Sequence, residues 1–292
     1  MLSQGLQYFV TGISVGSVYA LIALGFTIIH SVTGIVNFAQ GEFVMLGGMM
    51  AYFFFAMVGM PLWAAVLLAI LIVTVIGLLI QKITIAPAKG ASTISLIIIT
   101  IGASILIRGL VSQYWVWGRN AVRLPYFTDM EPLTFFGAAI HPQKLWVLGI
   151  TLVFMVLFHQ LLTRTPVGKA LRASAINSRA AGMVGINVSA MSLIAFGLAA
   201  GLGAIGGVLI ASQAVTSVDA GVMLGLKGFL AASIVGMSSQ VCAVIGGLGL
   251  GLLEVFFAGY GPSAWKEVFA LSVFLLILII RAGRLRGSEA GH

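Results

Sequence analysis

Charge is what this sequence has least of. Of 292 residues only 8% are Asp, Glu, Lys or Arg, and only seven are acidic. A water-soluble domain carries about 25% charged residues. A globule of this size therefore has too few charges to clothe its surface, and a soluble enzyme is excluded. Cysteine is almost missing as well. Cys242 stands alone inside an apolar run, which excludes an intrachain disulfide and a cysteine-based metal site. His30, His141, His159 and His292 are scattered without metal-ligand spacing. No nucleophile constellation, phosphate-cradling glycine loop or pair of carboxylates spaced for hydrolysis is present. The expectation is a non-enzyme that holds no cofactor and binds no ATP itself. The basic excess, 15 Lys and Arg against 7 Asp and Glu for a net charge of +8, is too sparse in so apolar a chain to suggest nucleic acid as a partner.

What is abundant is hydrocarbon. Apolar residues make up 60% of the chain and the mean hydropathy is +1.15. A helix needs roughly 20 apolar residues to cross a bilayer. Continuously apolar segments fall near 6–29, 43–59, 62–80, 92–112, 145–163, 193–215, 223–238, 241–259 and 265–280. The alternation of a β-barrel is absent, so the class is an all-α polytopic membrane protein. Several segments are short or broken by glycine, which leaves nine spans, or eight spans and one re-entrant piece, equally compatible. The first segment outruns a signal-peptide core and lacks a basic region before it, so it reads as a mature first span.

Basic residues concentrate in cytoplasmic loops. Segment 164–192 carries Arg164, Lys169, Arg172 and Arg179 with no acidic residue, the tail carries Arg281, Arg284 and Arg286, and the 81–90 turn carries Lys82 and Lys89. An even number of segments separates these three, which puts them all inside. The 113–144 loop then lies outside, with the interfacial aromatics Tyr114, Trp115, Trp117 and Tyr126, the acidic Asp129 and Glu131, and Arg119 and Arg123 as a poorer fit. Counting back from Lys82 puts the N-terminus outside, provided that 30–42 is a simple loop.

A charge in hydrocarbon costs several kcal/mol, so polar residues near spans carry information. Asn37-Phe38-Ala39-Gln40-Gly41-Glu42 has the pattern of a helix start at or below the membrane surface. Asn37 is a candidate cap, and Glu42 suits the positive end of the helix dipole. Such a break at depth is tolerated only against protein or a water-filled cavity. The other reading is an interfacial loop with Glu42 among headgroups. A second group is Asp219, Lys227 and Glu254. It reads as a buried Lys–Glu pair, as a snorkelling lysine, or as part of a transport route. Gly197-x-x-x-Gly201, Gly203-x-x-x-Gly207 and Gly247-x-x-x-Gly251 each offer a small-residue face for a helix of this chain or of a partner. Val44-Met45-Leu46-Gly47 recurs as Val222-Met223-Leu224-Gly225, a faint hint of two related halves.

The cytoplasmic stretch Thr165-Pro166-Val167-Gly168-Lys169-Ala170-Leu171-Arg172 continues through Asn177 and Gly185 to Asn187. It predicts a short basic helix over about 169–183, opened by Pro166 and closed by Gly185 and Asn187. Its small residues suit insertion into a groove of a cytoplasmic protein better than lying on lipid.

Together with Gly16-Ser17-Val18-Tyr19-Ala20-Leu21, Leu226-Lys227-Gly228-Phe229 and Gly246-Gly247-Leu248-Gly249-Leu250-Gly251-Leu252-Leu253-Glu254, these motifs resemble the permease subunit of bacterial ABC importers for branched-chain amino acids. The resemblance spans essentially the whole chain, 1–292, as one permease domain with a coupling loop at about 164–192. It implies a multi-pass protein of the bacterial inner membrane that moves branched-chain amino acids or a related small solute by alternating access. The implied partners are a second, homologous permease, two cytoplasmic ATPases that bind the ATP, an extracytoplasmic solute-binding protein, and membrane lipid. It implies coupling through Arg172, Asn177 and Gly185. Asn37, Gln40, Glu42, Lys227 and Glu254 become candidates for the translocation path or its support. Departures bear on the substrate: the family usually has His where Gln40 stands, a proline in the stretch corresponding to Gly236–Ala243, and Arg-Pro where this chain has Arg281-Ala282. Relatives are associated with leucine-type amino acids, urea, short amides and aromatic acids. An ion-coupled carrier or channel using Glu42, Lys227 and Glu254 is the alternative from another class.

Overall fold

The computed structural model describes residues 2–88, 90–114, 121–135, 137–237, 239–262 and 265–289. Lys89, Trp115, Trp117, Arg119 and His292, on which orientation or metal spacing was read above, lie outside the described residues. The same holds for the side chains of Tyr114 and of the basic tail.

Eleven helices are seen among the described residues: α1 (Leu2–Thr33), α2 (Gln40–Tyr52), α3 (Leu62–Ile80), α4 (Thr93–Tyr114), α5 (Pro142–Arg164), α6 (Pro166–Ile176), α7 (Ser178–Met183), α8 (Val188–Gln213), α9 (Ala220–Val235), α10 (Gln240–Tyr260) and α11 (Lys266–Glu289). Each of the nine apolar segments is a helix. Six of these (α1, α3, α4, α5, α8 and α10) are long and apolar enough to cross a membrane. The only strands among the described residues form a hairpin of β1 (Leu133–Phe135) and β2 (Ala138–Ile140). π-helical turns extend α2 over Phe53–Met57 and α3 over Gln81–Ile85.

Cross-chain contacts sort the helix ends into two groups. At one end, the start of α1 meets the hairpin, where Gly137 approaches Ser3, and Lys144 donates to Thr11. Val122 pairs with Thr216 at the same end. At the other end, Ser31–Gly34 faces Ser174–Arg179 across a small cavity. That second end holds the exposed Lys82, Arg164, Lys169, Arg172 and Arg179, so it is the inner one. The start of α1 is therefore outer. The reversal at 34–39 is tight, with Gly34 in the left-handed region (φ +73°) and its N–H bonded to the His30 carbonyl.

The core is α1 packed antiparallel to α8. Ser14 donates to Gln213 at the outer end, and Gly25 lies against Gln40 and the Ala199 carbonyl deeper in. Around this pair the packing is inverted. α1 carries α9 and α10, and α8 carries α2 and α3. The two short helices α2 and α9, which share the Val-Met-Leu-Gly sequence, meet at Gly41, Gly221 and Gly225. This is the plan of inverted repeats that place a site between them. The small-residue pairs serve contacts within this chain rather than with a partner. A Cβ on Gly207 would overlap the Val44 carbonyl, and one on Gly251 would overlap the Gly16 backbone. Lipid tails are as apolar as leucine, so close van der Waals approach is what holds such helices together.

Candidate functional site

Two polar centres lie in the interior. The first surrounds the start of α2, and Asn37, Gln40 and Glu42 are all buried there. The interfacial-loop reading of this segment is therefore overturned: the segment is folded into protein. Asn37 does not cap α2. Its side-chain oxygen accepts from the Ala39 N–H (3.1 Å), so it tightens the turn before the helix, and Ala39 occupies the cap position. Gln40 donates to the Ala199 carbonyl of α8 (2.9 Å). Glu42 reaches α4, where Ser104 donates to its Oε1 (2.8 Å) and Arg108 Nη2 pairs with the same oxygen (3.2 Å). The polar atoms His30 Nδ1, Asn37 Nδ2, Gln40 Oε1 and Glu42 Oε2 are buried without a hydrogen-bond partner. Such atoms along one segment leave unused hydrogen-bonding capacity inside the protein.

The second centre joins α1, α9, α10 and α11. Lys227 donates to Glu254 Oε1 (2.7 Å), and Tyr19 donates to Glu254 Oε2 (2.8 Å). Lys227 also donates to the Tyr19 hydroxyl (3.3 Å) and lies 3.8 Å from Glu267. Both oxygens of the buried Glu254 are thus satisfied, and the snorkelling reading of Lys227 is ruled out. Asp219 is not part of this group. It lies with Arg108 and Ser217 beside a separate cavity of about 470 Å³. Tyr19, Lys227, Glu254 and Glu267 line a cavity of about 800 Å³. It opens at the outer end beside Gln4, Gln7 and the 214–216 turn.

The inner end carries the 165–187 segment. Thr165 caps α6 by accepting from the Gly168 N–H (3.0 Å), with Pro166 at the first helical position. The single helix expected over about 169–183 is instead two. Asn177 leaves helical geometry and caps α7 by accepting from the Ala180 N–H (3.0 Å), because a side-chain oxygen competes well for orphan N–H groups. Gly185 ends α7 at φ +87°, with Ile186 N–H bonded to the Ala181 carbonyl and Gly185 N–H to that of Gly182. Asn187 opens α8 rather than closing the helix before it. Gly168 sits inside α6, where a Cβ would overlap the Leu161 carbonyl. The small residues are split between the two faces, with Ala175, Ser178 and Gly182 exposed. Ala181, Ser174 and Leu171 are buried against the protein's own helices, whereas Ile176 (88%), Met183 (81%) and Val184 (77%) are exposed. Arg172, Asn177 and Gly185 are exposed as well.

Several participants were not singled out from the sequence. Thr100, Ser104 and Arg108 stand four residues apart and form a polar stripe along α4. Thr100 accepts from the Phe38 N–H (3.2 Å). Arg108 is a charge inside an apolar run, the signal that marked Lys227. Tyr19 and Glu267 had no such signal, since one sits in an ordinary apolar run and the other at a helix start. Gln81 with Ser192, and Gln143 with Ser212, form two further buried amide–hydroxyl pairs.

The sequence has relatives throughout its length. A family profile described as branched-chain amino acid transport system / permease component matches residues 8–278. The high-affinity branched-chain amino acid transport system permease protein BraD of Pseudomonas aeruginosa is 30% identical, covering 97% of this chain and 95% of BraD. The permease protein LivH of the corresponding Escherichia coli K12 system is 30% identical, covering 94% of this chain and 93% of LivH. A probable branched-chain amino acid transport permease LivH of Methanocaldococcus jannaschii is 27% identical over 91% of this chain and 85% of that protein. These relatives are transport permeases and not enzymes. With six apolar helices of spanning length, the protein is a multi-pass protein of the inner membrane. By the extent of this kinship, the chain belongs to the family of branched-chain amino acid permeases, the membrane components of ABC importers.

Proposed function

We propose that this chain is one of two related permeases in an importer that carries branched-chain amino acids across the inner membrane. Two cytoplasmic ATPases bind the ATP and drive it, and an extracytoplasmic solute-binding protein delivers the solute. The observation that supports this reading best is the inner surface of α6 and α7, where Ile176, Met183 and Val184 are exposed along with Arg172 and Arg179. Large exposed apolar groups in a basic segment suit insertion into a protein groove, where an apolar anchor in a polar rim carries the binding energy. Arg172 supplies rim charge, while Asn177 and Gly185 hold the two helices at a fixed angle through their cap and turn. Residues 164–192 thus form the coupling loop of one permease domain.

Asn37, Gln40 and Glu42 support the broken helix beside the translocation route. Lys227 and Glu254 line its outer approach. Gln40 serves here where the family usually has histidine, donating to the Ala199 carbonyl without a group that titrates near neutrality. The test is to purify the complex with Arg172→Glu or with Ile176→Asp. Either change is expected to cut ATPase co-purification and ATP-driven leucine uptake by about tenfold or more, the effect of losing one interface anchor. Uptake and co-purification at wild-type levels in both variants would show that this surface is not the coupling contact.

A further inference from the structure

The outer cavity has a composition that its structural role does not require. The pairs Tyr19–Glu254 and Lys227–Glu254 tie α1, α9 and α10 together, yet they do so on the wall of a space of about 800 Å³ rather than in packed protein. That volume falls in the range of ligand pockets, roughly 300–1,000 Å³. Its charged lining is Lys227, Lys266, Glu254 and Glu267, two positive and two negative. The remaining wall is mixed: Gln4, Gln7, Thr11 and Gln213 give amide and hydroxyl groups, and Val15, Ile210, Met223, Leu224 and Val255 give hydrocarbon.

We propose that this cavity, formed within one permease chain, holds the solute as a zwitterion after its release from the binding protein. The proposal rests on the reading of the chain as an amino acid permease and adds to it a place and a mode of recognition. The balanced charges favour a ligand of zero net charge that carries both signs. An anionic acid or a bare amine would leave one carboxylate or one ammonium of the wall unpaired, at the cost that follows from a desolvated charge. Glu267 is the group best disposed to take the ligand's ammonium. It is 43% exposed, and its contact with Lys227 at 3.8 Å is longer than an N–H···O hydrogen bond of about 2.7–3.2 Å. Lys266 and the glutamine amides suit the ligand's carboxylate. The aliphatic side chain then lies along Val15, Met223 and Leu224. A urea or an amide has no charge for either partner, so the cavity selects amino acids within the wider range of solutes this family is associated with.

The cavity lip has a connection to the outer surface. Thr216 lines the cavity, and its backbone exchanges two hydrogen bonds (2.8 Å each) with Val122 of the outer loop. A protein docking on that loop therefore touches the segment that frames the entrance.

The test uses the assembled permease–ATPase complex in lipid nanodiscs, without the binding protein, and tritiated leucine as the probe. Saturable binding is expected, displaced by valine and isoleucine. Isovalerate, which lacks the ammonium, and isoamylamine, which lacks the carboxylate, are expected to compete at least about tenfold more weakly, as the loss of a charge-assisted contact requires. Glu267→Gln is expected to weaken binding by a similar factor, and Met223→Trp, which fills the cavity, to abolish it. Elution of each variant as the full complex verifies its assembly. Absence of saturable binding, equal competition by the two half-ligands, or binding untouched by both variants would each overturn the cavity assignment. The parent reading is decided separately, by ATP-driven leucine uptake through the wild-type complex supplied with its binding protein. Intact uptake without nanodisc binding sinks only the cavity, and absent uptake sinks the substrate assignment.

Discussion

Two buried carboxylates among the described residues, Glu254 and Glu42, are paired differently. Glu254 has both oxygens satisfied, by Lys227 and by Tyr19, and its partners come from the central helices α1 and α9. Glu42 uses only Oε1, shared by Ser104 and Arg108, and leaves Oε2 buried without a partner. Its partners both come from α4, a helix with many exposed apolar residues such as Ile98, Ile101 and Ile105. A closed pair of this kind holds a bundle together, because removing one partner strands a charge in a medium that cannot solvate it. A half-open pair attaches a peripheral helix and leaves hydrogen-bonding capacity for water or for another arrangement. The first pair joins three helices of the bundle, and the second joins α2 to the peripheral α4.

The largest expected effect comes from breaking the closed pair. Lys227→Met should destabilise the permease by roughly 3–5 kcal/mol, read as a drop in the thermal unfolding midpoint of the detergent-solubilised complex. Lys227→Met combined with Glu254→Leu should recover most of that loss, since no charge is then stranded. A double variant as unstable as the single one would show that the pair is not the unit of stability. Next in size is Glu42→Gln, for which about 1–2 kcal/mol is expected, because Arg108 already reaches solvent and the amide can still accept from Ser104. A loss as large as that of Lys227→Met would erase the distinction between the two pairs. Ser104→Ala should cost about 1 kcal/mol and speed amide hydrogen exchange in α4 without affecting α10. The smallest effect is expected for Thr100→Val, roughly 0.5–1 kcal/mol for one hydrogen bond. It should appear as faster exchange at the Phe38 amide, and exchange unchanged there would remove Thr100 from the α4 seam.

Much of the architecture is legible in the sequence for one reason. In hydrocarbon a backbone polar group has no partner but its own helix, so apolar run length translates directly into helices, and all nine runs appear as such. Charges are legible for the related reason that each is costly there. Lys227 and Glu254 stood out as a pair, although Asp219 was wrongly grouped with them. Caps depend on local competition among neighbouring oxygens, and there the reading was poorer. Asn177 splits what looked like one helix, and Asn37 tightens a turn instead of capping α2.

The sequence by itself determined the membrane class, the nine apolar helices and the costly charges Glu42, Lys227 and Glu254. Each of these follows from the free energy of placing single groups in lipid or water. Only the tertiary structure decided which charge meets which. Tyr19 and Glu254 are 235 residues apart in the chain, and no pattern along it foretells their contact. Tertiary packing also decided that the glycine faces close on this chain's own helices. It buried Leu171, Ser174 and Ala181 of α6–α7 and left Ile176, Met183 and Val184 outside. Close packing between helices is a property of matched surfaces, and a surface exists only once the chain has brought its distant parts together.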